Sequence, residues 1–143
     1  ESSFNNISIS NWDVSKITNF SNMFSQSTFN QDLSKWDVSN ATIFQGMFAE
    51  SSRFNNDSIS NWNVKNVTNM HKMFVNNKFF NQDLSNWNTN SVTNMAEMFY
   101  GSVFNKNISN WCVKNVTNYN YFRNNGSLSS SYIPPFGTTT NCN

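Results

Sequence analysis

Few side chains in this sequence are of a type that carries acid–base, nucleophilic or metal chemistry. His71 is the only histidine, and it lies between two methionines that we expect to face inward, so its own ring is predicted to face solvent. A zinc site needs several nitrogen or sulfur ligands, and neither a second histidine nor a cysteine cluster is present. The chain also has no glycine-rich phosphate loop and no nucleophile motif. We therefore predict no enzyme, no cofactor and no metal site.

The aspartates occur at two kinds of position. Asp13 and Asp37 directly follow a tryptophan, whereas Asp32, Asp57 and Asp83 come a few residues before one. A calcium site needs several oxygen ligands at close and fixed spacing, and a paired acid and base need two carboxyl groups together. These aspartates are isolated, and matching positions elsewhere carry asparagine. They are therefore predicted to form hydrogen bonds at chain corners, in preference to a calcium or acid–base site.

The composition excludes several classes of partner. Only 12% of residues are charged and the formal net charge is +1, which gives no electrostatic basis for binding nucleic acid or an anionic membrane. No apolar run is long enough for a transmembrane helix, and no signal peptide is evident. Asparagine and serine are abundant, yet 16% of residues are aromatic. Large apolar groups at regular places argue against a disordered chain.

Those regular places come from a repeated unit, FNQDLSNWNTNSVTNMAEMF at residues 80–99. Copies one, two, three and five occupy residues 4–24, 29–48, 54–74 and 104–122. Each copy contains one of the five tryptophans, and successive tryptophans are roughly 25 residues apart. A fixed period of this length is typical of a solenoid, in which each repeat buries its apolar face only against its neighbours.

The two halves of each copy predict different elements. The segment around Asp32-Leu33-Ser34 has one apolar residue between polar neighbours, which favours a short parallel strand. Ile9, Ile59, Leu84 and Ile108 hold the matching place in the other copies. The second half places Val67, Met70, Met73 and Phe74 on one face of a short helix. We therefore predict an α/β repeat solenoid of about five 25-residue repeats, with short parallel strands on one face and short helices on the other.

The repeat also predicts the core and its polar lining. The core residues are Trp12, Trp36, Trp62, Trp87, Trp111, Phe24, Phe48, Phe74, Phe99 and Phe122. The threonine column comprises Thr18, Thr42, Thr68, Thr93 and Thr117, and an asparagine column follows it at Asn19, Asn69, Asn94 and Asn118. Stacked coils would place such residues about 4.8 Å apart, so they are predicted to form structural hydrogen-bonded ladders.

Two parts of the chain follow from this pattern. Residues 1–123 are predicted to form the five-coil solenoid, and residues 124–143 an extended C-terminal tail rich in glycine, serine, proline and threonine. The tail still carries Leu128, Tyr132, Ile133 and Phe136, which predicts docking on the last coil or on a neighbouring subunit. Copy one is close to the consensus, so its outer face is expected to be apolar and uncovered.

The units FNQDLSKWDVSNATIFQGMF and FNQDLSNWNTNSVTNMAEMF resemble those of the BspA-like leucine-rich-repeat surface proteins. That family includes the related mycoplasma lipoprotein-associated repeats, and its unit looks like FNQDLSNWDTSNVTNMSYMF. The resemblance covers roughly residues 4–122. It implies a right-handed leucine-rich-repeat coil and an exported cell-surface protein used in adhesion or protein contact, with no general catalytic residues.

Export bears on the cysteines and the glycosylation motifs. Cys112 and Cys142 are the only two cysteines, and a bridge between them would tie the tail onto the final coil. Two free thiols, or a bond between subunits, are the alternatives. In a eukaryotic secretory route, Asn6, Asn56 and Asn125 are the most accessible of several N-x-S/T triplets, most of which are by-products of the repeat.

The sequence leads to two function hypotheses. The first is a non-enzymatic extracellular structural or adhesive surface protein, which could assemble head to tail into a filament because an open repeat end can accept another copy. The alternative is a protein- or glycan-binding repeat module of a cell-surface adhesin, since aromatic and amide-rich surfaces suit sugar stacking and hydrogen bonding.

Overall fold

The computed structural model describes residues 5–142, so Phe4, the predicted first residue of copy one, lies outside the described part. Within residues 5–142 the regular elements are two short 3₁₀-helices, Ile7–Asn11 and Asp57–Ile59, and a series of isolated parallel β-bridges. The bridges run Asn19 to Ile43, Ile43 to Asn69, Asn69 to Asn94 and Asn94 to Asn118. Each bridge joins one copy of the repeat to the next, and the other residues lie in turns, bends and irregular segments.

The predicted fold class is wrong. Residues 5–142 contain no extended strand, no sheet and no α-helix, so the chain is not an α/β solenoid of the leucine-rich-repeat kind, with strands on one face and helices on the other.

The predicted strands are replaced by tight turns. Ile9 and Ile59 lie within the two 3₁₀-helices, which are capped by the side chains of Asn6 and Asn56. In the remaining copies the backbone N–H of the tryptophan donates to the carbonyl three residues earlier, at 3.1 Å. These carbonyls belong to Leu33, Leu84 and Ile108. A hydrogen bond over three residues closes a turn, so the segment cannot be extended.

The predicted helices fail because one residue in each has a left-handed backbone. In copy three the N–H of Met73 donates to the carbonyl of Met70, and Lys72 between them has a φ of 60°. The other copies place Asn22, Gly46, Glu97 and Tyr121 there, with φ between 55° and 61°. An α-helix of L-residues requires negative φ, and a left-handed residue costs about 1–2 kcal/mol. Each run is therefore a turn, held by contacts with neighbouring copies.

Backbone hydrogen bonds join the turn segments of neighbouring copies, which we define as residues 18–26, 42–50, 68–76, 93–101 and 117–125. Alternate N–H groups of one turn segment donate to alternate carbonyls of the next. Between copies one and two the pairs are Phe20 to Ile43, Asn22 to Gln45, Phe24 to Met47 and Gln26 to Ala49, at 2.8–2.9 Å. The same four rungs recur between each later pair of copies. The copies therefore stack in register, copy upon copy.

Aromatic columns run through the middle of this stack. Phe24, Phe48, Phe74 and Phe99 are fully buried and stack with ring centroids 5.6 Å apart. Burial of a phenylalanine side chain contributes roughly 1.5–3 kcal/mol, and ring stacking adds to this. Because each ring packs on the ring one repeat away, the apolar side chains are covered by like side chains.

The buried tryptophans use both their rings and their indole N–H groups. Trp36 stacks on Trp62 with centroids 6.4 Å apart, and Trp87 stacks on Trp111 at 6.2 Å. Each of these indoles also donates to a backbone carbonyl of the preceding copy. The pairs are Trp36 to Ile9, Trp62 to Leu33, Trp87 to Ile59 and Trp111 to Leu84, at 2.9–3.2 Å. The acceptor is always the Ile or Leu that recurs before the tryptophan of each copy, so the indole fixes the register of two copies.

Polar ladders line the outside of the stack. The side-chain oxygen of each asparagine that follows the first phenylalanine accepts the backbone N–H of its counterpart one copy later. This ladder runs Asn5, Asn30, Asn55, Asn81, Asn105 and then Ser129. In the threonine column each hydroxyl after the first donates to the threonine carbonyl of the preceding copy. Both columns therefore satisfy backbone groups between copies.

The predicted tail, residues 124–143, starts with the last two residues of the copy-five turn segment and then contains a partial sixth copy, residues 127–136, which we call the half-repeat. Leu128 follows Phe104, and Phe136 follows Trp111, by about one period of the repeat. The N–H of Ser127 donates to the carbonyl of Ser102 at 2.9 Å, the same contact that Ser52 makes with Ser27. Leu128 is buried in the core. The half-repeat therefore continues the stack over copy five and then stops before a sixth turn segment.

Candidate functional site

Four of the five aspartates accept hydrogen bonds in local turns, and Asp57 is exposed at the start of the second 3₁₀-helix. The carboxyl of Asp13 accepts two hydrogen bonds from Ser15, and both lower its pKa. The bond from the hydroxyl has the larger effect, and the bond from the backbone N–H has the smaller one. Hydrogen bonds from Ser39 lower the pKa of Asp37 in the same way. For Asp32 and Asp83 the main cause of the lowered pKa is a hydrogen bond from the backbone N–H two residues later, that of Ser34 and Ser85 respectively. A lowered pKa keeps a carboxyl ionised and makes it a poor proton donor.

His71 lies on the outside of the stack in a small charged group. Its Nε2 is 3.7 Å from Oε1 of Glu97, and Nζ of Lys72 is 3.6 Å from the same oxygen. The side chains of Lys72 and Glu97 are partly exposed, so solvent weakens their ion pair. Residues 5–142 contain no group of three side chains that could hold a metal ion, and the group around His71 is no exception.

The two cysteines form a disulfide. Cys112 directly follows the last tryptophan, and Cys142 follows the half-repeat, with their Cα atoms 4.8 Å apart. Beside the disulfide, the side-chain amide of Asn141 donates to the carbonyl of Ser109 at 2.9 Å. Together these bonds hold the C-terminal residues against copy five.

The three candidate glycosylation residues have different surroundings. Asn6 and Asn56 each accept the backbone N–H two residues on through the side-chain oxygen, and Asn6 is the more exposed. Asn125 is exposed and has a φ of 57°, and its amide nitrogen donates to the hydroxyl of Tyr100 at 2.7 Å. The nitrogen that would carry a sugar at Asn125 therefore donates one of its two hydrogens.

Two of the predicted core residues differ from the rest. Trp12 is 50% exposed, because no copy among residues 5–142 lies on the outer side of copy one. Phe122 occupies the place of Met98, since Phe99 donates to the carbonyl of Phe122 as Phe74 does to that of Met98. Arg123 consequently takes the place of the column phenylalanine in copy five. If copies four and five are aligned on Asn94 and Asn118, Phe122 falls opposite Met98, as observed. If they are aligned on Phe99 and Phe122, this one-residue shift is not seen.

The first candidate contact surface is the copy-one groove, which lies at the outer end of copy one. It encloses about 560 Å³ and is lined mainly by Trp12, Val14, Ile17, Phe20 and Met23. Ile17 is 43% exposed, whereas the residue at the same place in copy two, Ala41, is fully buried. This groove is the surface that another repeat covers in every later copy.

The copy-one groove is bordered by an edge of free hydrogen-bond acceptors. The carbonyls concerned are those of Asn19, Ser21, Met23 and Ser25, and they accept no hydrogen bond from a residue within 5–142. Their equivalents in copies two to five all accept from the preceding copy. We call these four carbonyls the acceptor edge.

The second candidate contact surface lies at the other end, where the half-repeat leaves the turn segment of copy five uncovered. The backbone N–H groups of Tyr119, Tyr121, Arg123 and Asn125 donate to no carbonyl in the described range 5–142. The matching groups in copies one to four all donate to the following copy. We call these four N–H groups the donor edge. A groove of about 320 Å³ beside it contains Tyr119, Tyr121 and Phe136.

The half-repeat and the two edges are the features of the candidate contact surfaces that the sequence analysis did not predict. The repeat period recurs from Phe104 to Leu128 and from Trp111 to Phe136, and this is the signal that reveals the half-repeat. Serine and proline at the intervening positions conceal the similarity. The edges could not be found, because they depend on which backbone groups pair between copies.

One family model matches nearly the whole chain. It is described as a Mycoplasma protein of unknown function, DUF285, and it matches residues 1–58 and again residues 45–133. The chain belongs to the DUF285 family. This confirms the mycoplasma part of the resemblance, while membership of the BspA-like branch stays a prediction.

No curated protein and no solved structure matches this DUF285 chain. Among residues 5–142 there is no helix of the length and apolar character needed to cross a membrane.

Proposed function

We propose that this DUF285 protein is a non-enzymatic structural or adhesive protein of the cell exterior, and that it acts through contact. The observation that carries the proposal is the copy-one groove, in which a half-exposed tryptophan lies among apolar side chains. Exposed aromatic and aliphatic side chains grouped in one concavity are typical of protein contact sites.

The distribution of exposed hydrophobic side chains supports contact through the ends of the stack. Of the large exposed hydrophobic residues within 5–142, Ile7, Trp12 and Ile17 lie in copy one. A second group lies at the other end, at Tyr119, Tyr121 and Tyr132, and Phe79 is on the side. The disulfide supports the location, because such bonds persist outside the reducing cytosol. The resemblance to BspA-like surface proteins points to the same place.

Adhesion of the purified chain tests the proposal. Fluorescent beads coated with the protein are expected to bind cell monolayers or extracellular-matrix proteins, and antibodies to the chain are expected to label intact cells of its source. Trp12→Ala is expected to weaken bead binding at least about tenfold, as for a contact hot spot. Phe79→Ala is the matched control, since Phe79 is 47% exposed but lies away from both ends. Equal binding by uncoated beads, or equal loss in both variants, contradicts the proposal.

A glycan-binding module is the second candidate, and the same groove favours it. The exposed indole of Trp12 lies beside Asp13 and Asn19, and an aromatic face with polar neighbours suits sugar stacking. A glycan array separates the two candidates. Binding to defined sugars that is lost in Trp12→Ala, together with inhibition of bead adhesion by the free sugar, identifies a glycan ligand. Adhesion that no sugar inhibits identifies a protein ligand.

A further inference from the structure

The two ends of the stack formed by residues 5–142 are complementary. Copy one presents an acceptor edge of four carbonyls, and copy five presents a donor edge of four N–H groups with the same two-residue spacing. Within the chain, edges of these two kinds meet four times, at distances of 2.8–3.0 Å. Copy one of a second molecule placed after copy five would therefore repeat an interface that the chain already contains.

The register of that contact follows from the existing rungs. Met95 donates to Asn118, and Glu97 donates to Asn120. By the same offsets, Tyr119 and Tyr121 of one molecule would donate to the carbonyls of Asn19 and Ser21 in the next. Trp12 would then lie over Trp111 and be covered, as Trp111 covers Trp87.

The half-repeat stands in the way of this contact. Ser129 already occupies the position that Asn5 of an added copy would need, because its N–H donates to the side chain of Asn105. Phe136 occupies the place of Trp12, stacked on Tyr119 with centroids 4.4 Å apart. The half-repeat thus fills the first half of the next level and leaves only the donor edge uncovered.

We propose that the half-repeat is a stopper for head-to-tail assembly, clamped in place by the Cys112–Cys142 disulfide. While it is in place the chain is a monomer. When it is displaced, the donor edge of copy five binds the acceptor edge of a second copy of this chain, and the contact is heterologous and open. The proposal builds on the proposed contact function by naming a partner.

A full-length variant that releases the half-repeat tests the stopper. Leu128→Asp and Phe136→Asp remove its apolar anchors, and Cys112→Ser with Cys142→Ser removes the clamp without leaving a free thiol. Hydrogen exchange verifies release, because the N–H of Ile108 loses its bond to the carbonyl of Tyr132. By sedimentation velocity, the unaltered protein is expected to stay monomeric, and the release variant to form oligomers that grow with concentration.

A second substitution in the released protein separates specific stacking from general stickiness. Ile17→Lys places a charge in the copy-one groove, where the matching residues of later copies are buried, and is expected to restore the monomer. Phe79→Lys is the matched control and is expected to leave the oligomers unchanged.

Three results overturn the stopper proposal. They are oligomers already present in the unaltered protein, a released variant that stays monomeric, and oligomers that persist with Ile17→Lys. Each is read on purified protein without any adhesion surface. Failure here therefore leaves bead binding intact, and failure of bead binding leaves this result standing.

Discussion

At the scale of single residues, the indole N–H of each buried tryptophan connects two copies. Trp87 is 3% exposed and donates to the carbonyl of Ile59 at 2.9 Å. The carbonyl of Ile59 also accepts the backbone N–H of Trp62 at 3.1 Å, so it keeps one donor when the indole is removed. Loss of the indole hydrogen bond then costs about 0.5–1.5 kcal/mol, in addition to the cost of lost volume.

We therefore expect Trp87→Phe to lower the free energy of unfolding by about 1–3 kcal/mol, as the sum of the lost hydrogen bond and the lost buried volume, measured by urea denaturation. Trp12→Phe is the matched control, and its effect is expected to be well below this, because Trp12 is half exposed. Equal losses in the two variants would show that neither the indole hydrogen bond nor the buried volume of Trp87 contributes to stability.

The turn aspartates make stability depend on acid. The pKa values of Asp13, Asp32, Asp37 and Asp83 are lower in the folded chain than the ordinary 3.8, because hydrogen bonds favour the ionised form. A depressed folded pKa gives stability that is fully present above the unfolded pKa and is lost as pH falls through the folded pKa. Stability is therefore expected to fall below about pH 4.

Replacing all four aspartates by asparagine is expected to flatten that acid limb, measured as the midpoint of thermal unfolding between pH 2 and pH 7. Asparagine keeps the turn, as Asn88 shows by accepting the N–H of Asn90 at 3.1 Å. An acid limb of unchanged slope in this variant would assign it to other carboxyl groups.

At the scale of elements, the half-repeat depends on a close approach of backbone at Gly126. A Cβ built there would lie 2.7 Å from the carbonyl oxygen of Phe99 and 3.1 Å from that of Ser102. Both atoms belong to backbone, so neither moves without disturbing copy four or the half-repeat.

We expect Gly126→Ala to destabilise the fold by about 1–3 kcal/mol and to speed exchange of the Ile108 N–H. Gly137→Ala is the control, since Gly137 has a φ of 78° but no atom within 4 Å of a built Cβ. The measurements are urea denaturation and hydrogen exchange. Faster exchange in the control alone would show that backbone conformation, not crowding, limits the half-repeat.

Sequence periodicity identified which side chains face inward but not the elements that carry them. Met70, Met73 and Phe74 are buried as a helix would bury them, yet Lys72 between them is left-handed. Consecutive turns of three to four residues give nearly the same spacing of inward side chains as a helix. Pattern alone cannot separate the two, because the difference lies in φ angles and in hydrogen bonds to residues one repeat away.

At the scale of the whole molecule, the disulfide closes the C-terminal part of the chain into a loop, with its cysteines 30 residues apart. Reduction, or Cys112→Ser with Cys142→Ser, is expected to lower the free energy of unfolding by roughly 3–4 kcal/mol, since a loop of this length constrains the unfolded chain. Urea denaturation with and without reductant measures this. A serine variant that responds to reductant as the unaltered protein does would show that reductant acts elsewhere.

The in-register rungs also bear on how such chains change in length. Each turn segment donates N–H groups to the following copy and accepts at its carbonyls from the preceding copy. The hydrogen bonds between neighbouring copies are therefore the same whatever the number of copies. Unequal recombination between two copies therefore adds or removes a whole level with its donors and acceptors still matched. Each such event changes the length of the stack by one level, which is about 4.8 Å for backbones joined by hydrogen bonds.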